Sequence, residues 1–77
     1  MAHPHQVLRS INLPGEAVCV DIFRRGDGTF GFDQFRRDPE DGRGWYTISY
    51  FGDRVYTSEA EALRDAALQV PWLGPLI

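Results

Sequence analysis

The chain has no lysine, one cysteine and one methionine, and it has no apolar run near the ~18 residues that suggest a membrane-crossing helix. A lone Cys19 leaves no partner for an internal disulfide. No basic-then-apolar leader stands at the start of the chain, so the expected setting is cytoplasmic, away from any membrane. Because lysine is missing, all eight bases are arginine. Such a set suits planar, two-pronged contacts, although a GC-rich coding sequence gives the same composition. Eleven acids against eight bases leave a formal charge of −3, which argues against a partner held by bulk positive charge.

The signatures of chemistry are also missing. No glycine-rich phosphate loop, nucleophile elbow or pair of catalytic carboxylates can be found. A chain of 77 residues is expected to be too small to enclose a pocket of the usual few hundred cubic ångströms. The expectation is a non-enzyme that needs no cofactor and no metal. His3 and His5 supply two ligands at most, on a chain end without periodicity. Asp38, Glu40 and Asp41 share one segment but lack the spacing of a calcium loop. Cys19 has no nearby histidine and reads as a small apolar filler. Arg25-Gly26-Asp27 spells an adhesion tripeptide, yet in this context it reads as turn chemistry.

What is present points to a small globular domain. Hydrophobic residues make up 43% and there are ten aromatics: five Phe, three Tyr and two Trp. A single domain of this size buries only about 60% of the surface its unfolded chain exposes, so its core is thin.

The most informative stretch is 23–37. Val18, Val20 and Ile22 alternate as a strand, and Gly26-Asp27-Gly28 fits a three-residue hairpin loop with Gly28 in the left-handed position. Facing residues then sum to 54, which pairs Ile22 with Phe32, Phe23 with Gly31 and Arg24 with Phe30. One face holds Val18, Val20, Ile22, Phe30 and Phe32. The other holds Cys19, Asp21, Phe23, Arg25, Asp33, Phe35 and Arg37. Each of the pairs Arg24-Arg25 and Arg36-Arg37 therefore divides between the two faces.

Residues 1–6 read as a loose end. Val7 to Leu13 is a short apolar patch, either a helical turn or an extended lead-in, closed by Pro14-Gly15. Trp45 to Phe51 reads as a third strand. Ser58-Glu59-Ala60-Glu61 is a capping box opening a helix from about Glu59 to Val70, with Ala60, Leu63, Ala67 and Val70 on one stripe and Pro71 as its stop. The expected fold is α+β: a three-stranded antiparallel meander over 16–57, with room for a short fourth strand at Val55-Tyr56. One C-terminal helix over 58–70 packs on one sheet face, and 71–77 forms an apolar tail. The second face, with Phe23, Phe35, Trp45 and Phe51, is left for the N-terminal segment, a second copy or a partner.

From Phe35 onward, the order Arg37-Asp38-Pro39, Trp45, an aromatic strand, then Thr57-Ser58-Glu59-Ala60-Glu61-Ala62 and Asp65-Ala66-Ala67 resembles the second half of the plant Apetala-type DNA-binding domain. The resemblance covers less than half of the chain. It implies a three-stranded sheet backed by one helix, its free face in the major groove, with Arg25, Arg37 and Trp45 nearest to backbone and bases. The chain departs from that pattern in Asp21 and Asp33, in its negative charge and in the extra turn Gly52-Asp53-Arg54. More loosely, it is similar to small bacterial domains of unknown function that close on an acidic, alanine-rich helix and a Pro-Trp-Leu tail.

The functional expectation is a non-catalytic protein-interaction module using an aromatic and arginine-bearing outer sheet face. Phe23, Arg25, Phe35, Arg37, Trp45 and Trp72 are its candidate partner-binding residues. The partner is another protein or a second copy of the chain, with nucleic acid bound by the same face as the alternative.

Overall fold

The structure is a computed structural model that describes residues 6–15, 17–37, 44–49, 51 and 53–77. The expected loose end before Gln6, the His3 and His5 pair, and the acids Asp38, Glu40 and Asp41 lie outside the described residues.

Four antiparallel strands form one sheet in sequence order: β1 (Gln6–Asn12), β2 (Val18–Arg24), β3 (Phe30–Arg37) and β4 (Trp45–Ser49). One helix, α1 (Glu59–Gln69), packs on β2 and β3, giving the α+β fold that the pattern of the sequence implies. The stretch left open between a helical turn and a lead-in is the strand β1, and Gln6 already belongs to it. Tyr56 makes a single bridge to Phe30 rather than a strand of its own.

The β2–β3 hairpin has the expected register, with Ile22 facing Phe32, Phe23 facing Gly31 and Arg24 facing Phe30. Its loop closes as the residue types require. The Gly28 N–H donates to the Arg25 carbonyl at 3.0 Å, and Gly28 takes φ +88°. Asp27 then accepts both the N–H and the hydroxyl of Thr29, at 3.0 and 2.7 Å.

Two extra residues change the parity of the outer strands. β1 slips register between Val7 and Arg9, so Leu8 is surplus, and β4 slips between Thr47 and Ser49, so Ile48 is surplus. Such bulges turn every later side chain to the opposite face. Phe51, expected on the outer face, therefore lies on the core side, stacked on Phe32 with ring centroids 4.8 Å apart.

Ser58 caps α1 by accepting the Glu61 N–H at 3.1 Å, while the Glu61 carboxylate accepts the Thr57 hydroxyl at 2.6 Å. The buried row is Ala62, Ala66 and Val70, continued by Leu73; of the expected stripe Val70 is buried and Leu63 packs against the core, while Ala67 is half-buried and Ala60 exposed. Spacings of four residues keep this row on one helix side. Its two leading members are alanines, which present only methyl groups to the sheet. They share one cluster with Val20, Ile22, Phe32 and Tyr56, and Ile11, Phe30, Leu63 and Trp72 pack around it. Beyond Pro71 the chain turns back so that Leu73 is fully buried, then ends in a 3-10 turn over Gly74–Leu76.

Candidate outer sheet face

No helix or strand among the described residues covers the sheet face opposite α1. Register places Val7, Ser10 and Asn12 of β1 on this face, followed by Cys19, Asp21 and Phe23 of β2. Gly31, Asp33, Phe35 and Arg37 of β3 and Trp45 and Thr47 of β4 complete it.

The hairpin end of the face is closed by its own side chains. Phe23 is only 2% exposed because its ring lies over Gly31, where a Cβ would sit 2.9 Å from Phe23 Cζ and 2.7 Å from an Arg25 guanidinium nitrogen. The Arg25 guanidinium stands 5.0 Å from the Phe23 ring centroid. It also donates to the carbonyls of Phe30, at 2.9 Å, and Arg54, at 3.1 Å. This side chain fastens the hairpin turn to the segment before α1. Phe23 and Arg25 are thus taken up inside the fold.

The middle of the face is acidic. Asp21 and Asp33 stand directly opposite each other on β2 and β3, an unfavourable placing for like charges. Each is met by a donor: the Ser10 hydroxyl reaches Asp21 at 2.6 Å, and the Phe51 N–H reaches Asp33 at 3.1 Å. The second bond spans the place where the chain leaves β4 to bridge back at Tyr56. Cys19 beside them is buried, and burial first, then the Asp21 charge, pushes its thiol up from the ordinary value. A thiol held protonated in this way is a packing group and a poor nucleophile.

The far end is open. Arg37 and Trp45 are cross-strand partners, the guanidinium lying 5.6 Å from the indole centroid, and Trp45 is 47% exposed. Phe35, half-buried between Cys19 and Thr47 in register, leads up to them. Of the six expected partner-binding residues, the structure brings Phe35, Arg37 and Trp45 together. Phe23 and Arg25 sit at the closed end, and Trp72 packs against the helix-side core.

Around this open end runs a cleft of about 580 Å³, lined by Asn12, Gly15, Ala17, Val18, Arg36, Arg37 and Trp45. The space is an open recess across the strand ends and is not enclosed by a core, so it stands beside the expectation that so short a chain encloses no pocket of this size. Asn12 and Arg36 were not among the candidate residues. Asn12 could be placed only once β1 was known to pair with β2. Arg36 falls by alternation on the face opposite Arg37, and only the cleft around the sheet end brings the two together.

Among the described residues no cluster of three or more His, Cys, Asp or Glu is arranged to hold a metal, and no helix is long and apolar enough to cross a membrane. No family model, curated protein or solved structure matches the chain.

Proposed function

We propose that the chain is a non-catalytic interaction module that pairs with a second copy of itself through the outer sheet face. The observation that carries this reading is the charge pattern about Phe35. Along β3, Asp33 lies two residues to one side of Phe35 and Arg37 two residues to the other. Register adds Asp21 to the acidic side and Trp45 to the basic side.

Consider two such faces packed about 10 Å apart, related by a two-fold axis that crosses β3 at Phe35. Phe35 then meets its own copy. Because the axis reverses the strand direction, Arg37 of each chain stands over the Asp21–Asp33 pair of the other. The face is complementary to itself in charge as well as in its apolar centre. A chain whose core is thin also gains by burying this side.

Sedimentation equilibrium tests the arrangement. Wild type sediments as a dimer. Arg37→Glu and Asp33→Lys are each monomeric, since each puts like charges together twice, and an equimolar mixture of the two restores a dimer. Asp33 also holds the Phe51 N–H, so Asp21→Lys serves as a second acid-side variant if Asp33→Lys folds poorly. A wild-type monomer at high concentration, or a mixture that stays monomeric, overturns the proposal.

A second reading, nucleic acid on the same face, draws support from the Arg37–Trp45 stack, a pairing suited to phosphate and base. It requires binding at low salt that falls steeply as salt rises, measured by fluorescence anisotropy with single- and double-stranded probes.

A further inference from the structure

The cleft across the strand ends shares Arg37 and Trp45 with the proposed pairing face and adds to them Arg36 and Asn12, which that pairing does not use. It gathers two guanidinium groups, an indole and a carboxamide at the ends of the strands: Arg36 and Arg37 end β3, Trp45 begins β4 and Asn12 ends β1, with Gly15 and Ala17 of the β1–β2 connection and Val18 at the start of β2 beside them. Neighbouring residues on a strand normally point to opposite faces. Here the recess wraps around the end of the sheet, so both arginines line it. Among the described residues neither forms an ion pair. The Arg37 guanidinium lies over the Trp45 ring, 5.6 Å from its centroid, so one wall of the recess is both aromatic and cationic.

We infer that this cleft binds a mononucleotide-sized ligand, with its phosphate between Arg36 and Arg37 and its base against Trp45. Guanidinium groups match phosphate oxygens two at a time, and a flat ring stacks on an indole whatever its hydrogen-bonding edge. The volume is within the range of small-molecule sites, and a bare inorganic anion would fill only part of it. Asn12 provides both a donor and an acceptor for a sugar hydroxyl or a base edge. Arg36 lies off the outer face, so its substitution tests the cleft apart from the dimer, whereas Arg37 and Trp45 belong to both readings.

Titration of the 15N-labelled chain with AMP, followed by amide and indole resonances, provides the test. AMP at millimolar concentration produces saturable shifts at Ala17, Val18, Arg36, Arg37 and the Trp45 indole N–H. Arg36→Ala weakens the apparent affinity about tenfold or more, as expected for loss of a two-pronged phosphate contact, and leaves the sedimenting mass unchanged. Inorganic phosphate gives weaker binding and no indole shift. The inference is overturned if AMP moves no resonance, if phosphate alone does as well as AMP, if Arg36→Ala binds like wild type, or if only a single-stranded oligonucleotide binds. Failure of the dimer reading appears separately, in the mass of the unliganded chain.

Discussion

Arg25 and Arg37 stand at opposite ends of one sheet face and have opposite fates. Arg25 is fixed by two carbonyls and an aromatic ring, all of which depend on residue 31 having no side chain. Gly31→Ala forces a methyl group against Phe23 and Arg25 and is expected to cost about 1–3 kcal/mol, the range for overpacking, measured by urea unfolding. A second fixed point is Asp65 on α1, which accepts the Tyr56 hydroxyl, the Arg54 guanidinium at 3.1 Å and the Gln69 amide at 3.3 Å. The Tyr56 hydrogen bond, helped by Gln69 and Arg54, holds the Asp65 carboxyl below its ordinary value. A carboxyl lowered by folding contributes stability that is present above its unfolded pKa and lost as pH falls through the folded one. Asp65→Asn is therefore expected to be less stable than wild type at pH 7 by about 1 kcal/mol, the lower end for a bond to a charged acceptor partly in water. Thermal melts should show that difference shrinking as pH drops below about 4.

Among the elements, the hairpin and the helix were legible in the sequence because their signals are local. A Gly-Asp-Gly loop fixes its own register, and Ser58 with Glu61 fixes where α1 begins. The helix stripe was right at Val70 and near at Leu63, but its start at Ala60 faces solvent and the buried alanines are Ala62 and Ala66. Periodicity alone gives no reason to prefer Ala62 over Ala60, and the choice comes from how closely a helix can approach Ile22 and Phe32. Close approach makes Ala66→Leu costly, by about 1–3 kcal/mol in chemical denaturation. The corresponding change at exposed Ala60 should be nearly neutral. The bulges at Leu8 and Ile48 left no trace in the pattern, since a bulge is set by the neighbouring strand. The fate of Phe51 was hidden for that reason. Of the candidate site, Phe35, Arg37 and Trp45 were found by alternation. The closure of Phe23 under Arg25 depends on the Arg54 carbonyl, distant in sequence, and could not be read from it.

As a whole the molecule is a plate, 37 × 34 × 17 Å, with one sheet, one helix layer and a core on one side. Val7 at 52% exposure and Trp45 at 47% mark opposite corners of its uncovered side. If two plates pair through that side, unfolding is coupled to dissociation and the thermal midpoint depends on protein concentration. Scanning calorimetry over a hundredfold range should show the midpoint rising by a few degrees per tenfold increase for wild type and staying level for Arg37→Glu. The Arg25 fastening also has a bearing on how such a plate comes apart. One guanidinium grips carbonyls at the β2–β3 hairpin and just ahead of α1, its longer arm spanning 29 residues of sequence. The hairpin tip cannot fray without freeing the approach to the helix, so the β2–β3 hairpin and the start of α1 open together as one cooperative unit.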